Sequence, residues 1–414
     1  MAEYVTKRRF NSQLATGLAV VVLGVIITLI YWPIWGMLAK SVASSIAAVG
    51  LQEADPQVVG KYINVFTEGT FFWMCIMAWV WQTLVFGNYG KNRFTDRQPW
   101  AGLWYTFLSP ILGVLGFLIL VGFIGLWWKP FNLSILFTPK TVEEVKLAIE
   151  GWETSNFYVL VALVTQVPVI SLFHKWPYAG KVSAPWDGYG AMLTGVIPAI
   201  ILWIATIMPT FMKVTLGGHE ILSTPFGSWP AYLAFIQCFI FWFLMPGEGG
   251  EGYPMKLFAK TQPLMGFIGL AIAFVGGFVT PAILRPILGP LNLLPGQPVD
   301  LVIASFVLSI IVFMLVWHHL FDDYPSASMV PNVARRVLTR IVIWIVGGSI
   351  FGIFWLKTFT LLPFAGNTHL GYPVLGILAG QFVLLMPFLY LNTFFDKWPF
   401  VYKVPVEQTE NNGR

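Results

Sequence analysis

The chain is 414 residues long, 57% hydrophobic and only 10% charged, with a mean hydropathy of +0.73. Water-soluble proteins carry roughly a quarter charged residues, so lipid must solvate much of this surface and a water-soluble fold is excluded. The net charge of +5 comes with no basic run of the kind that binds nucleic acid, and five histidines are too few for a histidine-rich di-iron membrane hydroxylase.

Residues 1–10 are polar and include Lys7, Arg8 and Arg9. The apolar run that follows, about 13–38, is longer than the ~7–15 residues of a signal-peptide core, and is read as a retained first helix. Further uncharged apolar runs lie at about 70–88, 101–128, 157–173, 189–212, 230–246, 263–284, 301–320, 331–356 and 371–395. They predict an all-α integral membrane protein with about ten transmembrane helices. It forms a single membrane domain, 1–414, with polar tails at 1–12 and 400–414. The two cysteines, Cys75 and Cys238, fall in apolar stretches and give neither a disulfide framework nor a metal motif.

Ten crossings return both termini to one side. Of the Lys and Arg residues, twice as many then fall in inner segments as in outer ones. The positive-inside rule therefore puts both termini in the cytoplasm, with the protein multi-pass in the plasma (inner) membrane. Two outer loops are long, about 40–69 and 129–156. In the second, residues 141–150 carry acids in their first turn and read as a short amphipathic helix lying on the outer surface.

The even-numbered runs end in a repeated punctuation on the inner side. It reads Phe86-Gly87-Asn88-Tyr89-Gly90, Phe173-His174-Lys175-Trp176-Pro177, Phe321-Asp322-Asp323-Tyr324-Pro325 and Phe395-Asp396-Lys397-Trp398-Pro399, with Gly252-Tyr253-Pro254 a looser copy. A second mark follows each: Pro99-Trp100-Ala101-Gly102, Pro185-Trp186-Asp187-Gly188, Pro263-Leu264-Met265-Gly266 and Pro331-Asn332-Val333-Ala334. Proline suits the first position of a helix, where its missing N–H costs nothing. An aromatic residue sits well at headgroup depth, and a small residue one turn in lets helices approach.

Cutting at these marks gives five parallel tandem helical hairpins, about 14–90, 99–177, 185–254, 263–325 and 331–399. Each returns the chain to its starting side, so the copies share one orientation, and a quasi-fivefold ring is the simplest closure. The five-hairpin plan resembles the architecture of the tellurite-resistance/dicarboxylate transporter family and slow-type anion channels, although no sequence motif of that family carries over.

The sharpest chemical constellation is Trp317-His318-His319-Leu320-Phe321-Asp322-Asp323 at the inner end of the eighth run. In a helix His318 and Asp322 share a face, as do His319 and Asp323. Imidazole with carboxylate is a divalent-metal ligand set, a pH-sensitive gate, or an interfacial helix end whose acids meet Arg335 and Arg336. His174 lies at similar depth, with His219 and His369 on the outer side, which admits a bis-histidine haem as a second cofactor reading. No cofactor is required by the sequence. The loop 245–253 is glycine-rich and acidic. Its Glu248 and Glu251 are gating or cation-site candidates, or simply part of a turn between helices.

None of the ten runs has a charged residue near its centre, where proton-coupled pumps usually place one. Mid-depth polar residues are neutral: Ser109, Gln166, Thr194, Gln237, Ser305, Ser309, Ser349 and Gln381. Pro110, Pro168, Pro198 and Pro209 lie inside runs. Pro110 and Pro198 are taken as gating candidates because a kink exposes backbone carbonyls.

The resulting expectation is a channel or facilitator for a small solute through a pore along the repeat axis. Five odd-helix N-termini at the inner mouth, with the inner Lys and Arg, favour an anion or carboxylate. The alternative is an integral membrane subunit of a larger enzyme or electron-transfer complex handling a quinone, haem or lipid-like substrate. Its support is the 16% aromatic content, with Trp32, Trp35, Trp127 and Trp128 clustered near the outer surface. Expected partners are the lipid bilayer, the solute, and a homo-oligomer or partner subunits. No nucleophile–base pair emerges from spacing, so no catalytic residue is assigned.

Overall fold

Capping residues decide where the helices begin. Ser12, Asp55, Thr141, Ser228 and Asn332 each accept a backbone N–H of the first turn they precede. Pro99, Pro185 and Pro263 stand at the same position before three other helices. The computed structural model describes residues 4–88, 98–207, 226–362 and 376–405, plus the backbone of 214–216 and 219–222.

The main helices are α1 Gln13–Ile46, α2 Pro56–Phe71, α3 Trp100–Ile124, α4 Val142–Ser171 and α5 Trp186–Leu202. They continue with α6 Trp229–Leu244, α7 Leu264–Leu288, α8 Val299–Phe321, α9 Val333–Thr358 and α10 Ile377–Thr393. Helix α2 runs on through two π-helical segments, Phe72–Met77 and Val80–Val85, and α5 through a third, Trp203–Ile207. Among the described residues, 8 helices are long and apolar enough to cross a membrane, while α6 and α10 are shorter apolar helices. The chain is a multi-pass membrane protein.

Two expected outer loops are shorter than the sequence suggests. Helix α1 extends to Ile46 and α2 already begins at Pro56, so most of 40–69 is helical. The amphipathic stretch expected to lie on the outer surface is instead the first turns of α4, continuous to Ser171. The physical reason is the same in both. Polar residues such as Lys61, Glu68 and Glu153 border an open hollow between the helices, so the helix carries on where hydropathy alone would end it. Pro209 and His369 lie outside the described residues.

The helices form two layers. Only 28% of the most apolar stretch of each of α1, α3, α5, α7 and α9 is buried, against 72%, 67% and 78% for α2, α4 and α8. Most of α6 and α10 is buried as well. Around the inner layer, α2 packs on α4, α4 on α6, α6 on α8 and α8 on α10. Helix α10 in turn meets α2: Phe382 lies edge-to-face on Phe72 at 5.8 Å, and the Trp79 indole donates to Thr393 Oγ1 at 2.9 Å. Outer helices pack one step on, with α3 against α2, α5 against α4, α7 against α6, α9 against α8 and α1 against α10.

Glycine lets the layers meet. A Cβ on Gly113 of α3 would fall 2.4 Å from both Met74 Cα and Trp73 O, and one on Gly348 of α9 would fall 2.6 Å from Ile310 Cα. These are backbone atoms, which cannot swing aside. Gly113→Ala is therefore expected to cost about 1–3 kcal/mol, the usual range for overpacking. A thermal melt in detergent reads this as a lower midpoint than for Gly60→Ala, where a Cβ meets nothing within 4 Å.

Two consecutive residues at positive φ follow each inner helix, beginning within three residues of the last helical residue at Gly87-Asn88, His174-Lys175, Asp322-Asp323 and Asp396-Lys397, and seven residues on, at Glu251-Gly252, after α6. Such a pair is uncommon outside glycine. Left-handed residues cannot continue a right-handed helix, so the chain turns at these points. The phenylalanine before the turn packs on the early glycine of an outer helix: Phe86 on Gly188, Phe173 on Gly266, Phe321 on Gly17 and Phe395 on Gly102.

The tails are not merely polar extensions. Strand β1, Tyr4–Arg8, pairs antiparallel with β4, Val401–Pro405, with Thr6 opposite Lys403. These two strands therefore meet at one end of the molecule, called here the tail end. A second small hairpin joins β2, Val214–Leu216, to β3, His219–Leu222.

Candidate functional site

The inner helices line two neighbouring hollows and a cluster of titratable side chains. At the end away from the tails, the N-terminal parts of these helices border a hollow of about 560 Å³. Its wall includes Lys61 and Glu68 of α2, Glu153 and Asn156 of α4, Trp229 of α6, Leu301 of α8 and Phe382 of α10. Lys61 and Glu153 form an ion pair at 3.0 Å. We call this hollow the vestibule.

Further along lies a narrow cavity of about 70 Å³, the neck. Every inner helix contributes to it: Ile76 and Trp79 from α2, Leu163 from α4, Ile240 from α6, Ile311 and Leu315 from α8, Phe382 and Leu385 from α10. Phe382 borders both vestibule and neck. The lining is apolar except for Gln237 and Glu248. Neither amide atom of the fully buried Gln237 has a hydrogen-bond partner among the described residues. Gln381, one helix away, is instead satisfied: its Nε2 donates to Ser305 O at 2.9 Å and Ser309 Oγ at 2.7 Å, pinning α10 to α8.

The tail-side end of the neck holds the chemistry. Glu248, in the turn after α6, brings Oε2 to 3.3 Å from His318 Nε2 and 3.7 Å from His319 Nε2. These three ligand atoms lie within 4.8 Å of one another, the one such group of three among the described residues. His318 is held from behind by Asp323, whose carboxylate oxygens lie 2.9 and 3.0 Å from Nδ1. His319 Nδ1 lies 2.9 Å from the Asn392 amide. Glu248 Oε2 and His319 Nε2 are buried and make no hydrogen bond among the described residues. Burial, the largest cause, holds the Glu248 carboxyl above the usual carboxylate range; nearby His318 opposes the rise and Asp323 adds to it.

The histidine–aspartate pairs expected from helical spacing do not form. Helix α8 stops at Phe321, and the left-handed pair Asp322-Asp323 swings both acids off its face. Asp323 comes back to His318 rather than to His319. Asp322 turns to the tails instead, pairing with Arg8 at 2.9 Å and with Lys397. Burial lowers the Lys397 pKa, and the Asp322 hydrogen bond works against that fall. Nor does Arg336 meet these acids. It grips Glu251 through two bonds of 2.6 and 2.7 Å.

Glu251 is thus part of an ionic clamp. Arg340 also reaches it, at 3.1 Å, and donates to Gly249 O and Pro325 O, both at 2.9 Å. The Arg336 hydrogen bond holds the Glu251 carboxyl below its ordinary range. His174 is exposed on the turn after α4. Pro110 is half-buried and Pro198 exposed, both on outer-layer helices that do not line the neck. The odd helices form the less buried outer layer, and none of their residues lines the neck.

Sequence reasoning missed Asn392 behind His319 and the vestibule acids Glu68 and Glu153, which fell in assumed loops. It also missed which helices are central. The available signal was a glutamine in nearly every even run: Gln82, Gln166, Gln237 and Gln381 are all buried. Compared with known proteins, the sequence matches no family model and no curated protein, and the structure matches no solved one.

Proposed function

We propose that the chain crosses the bilayer ten times as five tandem hairpins in a quasi-fivefold ring, and that it is a transport protein whose path is the axis of the inner helices. The tail end faces the cytoplasm on this reading, following the excess of Lys and Arg there. The recurrent left-handed turns support the repeat. So does the stepwise packing of outer on inner helices, which runs from α2 around to α1 against α10.

The observation that carries the transport reading is the neck, to which all five inner helices contribute side chains. A cavity walled by apolar residues holds water poorly, and a dewetted constriction is a closed gate that needs no plug. Unpartnered Gln237 offers a passing polar group a partner midway. Acidic groups stand at both ends of the neck, Glu68 and Glu153 in the vestibule and Glu248 at the tail side. Lys61 already pairs with Glu153 and burial favours the neutral form of Glu248, so the preference for a cation over the anion suggested by helix dipoles rests on these carboxylates when they are ionised.

The test is flux into liposomes carrying the purified protein, with voltage recorded and cations and small anions offered in turn. Saturable or voltage-dependent cation passage is the expected result. Passage of anions alone would overturn the cation preference. No passage of any solute, together with a co-purifying soluble subunit, would move the function to a membrane subunit of a larger complex.

A further inference from the structure

We propose that Glu248, His318 and His319 bind one divalent first-row transition-metal ion, with zinc the best fit, at the tail-side end of the neck. The site joins the turn after α6 to the last turn of α8, and a resident ion there does not depend on the transport reading. Three features of the geometry argue for it.

The first is the ligand set. Two imidazole nitrogens and one carboxylate oxygen converge from separate elements, the combination that holds zinc or other first-row ions while leaving a coordination position open. Metal–ligand bonds of about 2.0–2.2 Å in a tetrahedron put ligand atoms ~3.3–3.6 Å apart. Of the separations from Glu248 Oε2, that of 3.3 Å has this spacing and that of 3.7 Å is 0.1 Å above it.

The second is the orphaned pair. Glu248 Oε2 and His319 Nε2 are buried, face each other and satisfy no hydrogen bond among the described residues. Leaving buried polar atoms unpaired costs about 1–3 kcal/mol each. A cation between them removes that cost for both.

The third is the backing of the rings. The Asp323 carboxylate lies against His318 Nδ1, so Nε2 is the nitrogen that faces Glu248 and would ligate a metal once its proton is displaced. This carboxylate–histidine arrangement typically sits behind a metal-bound imidazole. Asn392 performs the same office for His319: with its amide turned over, the carbonyl oxygen accepts from Nδ1 and Nε2 is the free nitrogen. Both rings then present the correct atom to one point.

The experiment uses the full chain in detergent, stripped by a chelator and titrated with Co(II) as a spectroscopic stand-in, then with Zn(II) in competition. The expected result is one Co(II) per chain, with visible ligand-field absorption that Zn(II) displaces. Glu248→Gln, which keeps the side-chain shape, and His319→Ala should each weaken binding by roughly tenfold or more, and Asp323→Asn by about 10–100-fold through loss of the backing carboxylate. His174→Ala, on an exposed turn, should bind as the parent does. Melting and size-exclusion profiles identify any variant that fails to fold, and Asp323→Asn then decides in its place. Binding unchanged in Glu248→Gln and Asp323→Asn would overturn the site. So would the absence of ligand-field absorption from the parent protein at saturating Co(II).

Discussion

Phe382→Ala should open the axis, raising basal cation flux into liposomes by roughly tenfold for each ~1.4 kcal/mol it takes off the barrier. Phe382 is the residue common to the walls of vestibule and neck, and its ring rests edge-on against Phe72. Truncating it removes the side chain shared by a hollow of about 560 Å³ and an apolar one of about 70 Å³. Water can then follow from the vestibule, and an ion need not shed its hydration at that step. The same truncation has a folding cost of about 3–5 kcal/mol, typical for a buried aromatic ring. Flux is therefore normalised to folded protein. Phe107→Ala is the control, because Phe107 lies exposed on α3. Unchanged flux from folded Phe382→Ala would show that solute does not pass this point.

Arg340→Met should be the most destabilising single change at the tail end, by about 3–5 kcal/mol, the cost of stripping one partner from a buried ionic network. Arg340 is 6% exposed and ties Gly249, Glu251 and Pro325 to α9, so one guanidinium fixes the turn after α6 against the turn after α8. Those are the two turns that carry Glu248 and Asp323. Thermal melting in detergent should show a lower midpoint, and loosening of the turns should follow locally. Glu251 adds a pH signature. Its carboxyl is held below the ordinary 4.5 by Arg336, so it contributes stability in full above that value. The contribution is lost as pH falls through the lowered folded-state pKa. Glu251→Gln should flatten that acid limb of the melting profile, and a limb that stays as steep would assign it to other groups.

The spans were legible because an 18-residue apolar stretch has few other uses in a chain this poor in charge. Their ends were less so. Hydropathy stops at the lipid boundary, whereas α2 and α4 continue as vestibule walls where Lys61, Glu68 and Glu153 have polar space. The punctuation after the even runs was visible as letters, but its geometry was not. Nothing in Phe-Asp-Asp-Tyr-Pro announces two left-handed residues, and those two residues are why helical spacing misassigned the acids around His318 and His319. Glu248 stood out as an acid in a glycine-rich loop, and the histidines stood out as a pair. Their meeting depends on α6 packing against α8, a contact between elements about seventy residues apart that no local pattern encodes.

The pairing of β1 with β4 makes the chain's beginning and end neighbours, Tyr4 opposite Pro405. Helix α1 already leans on α10 as each later outer helix leans on the inner helix before it. The paired strands are a clasp between the first and last described elements. Sewing it shut with a short linker and reopening the chain in the exposed turn around Gly180, where a Cβ would meet nothing, would leave every helix with the neighbours it has now.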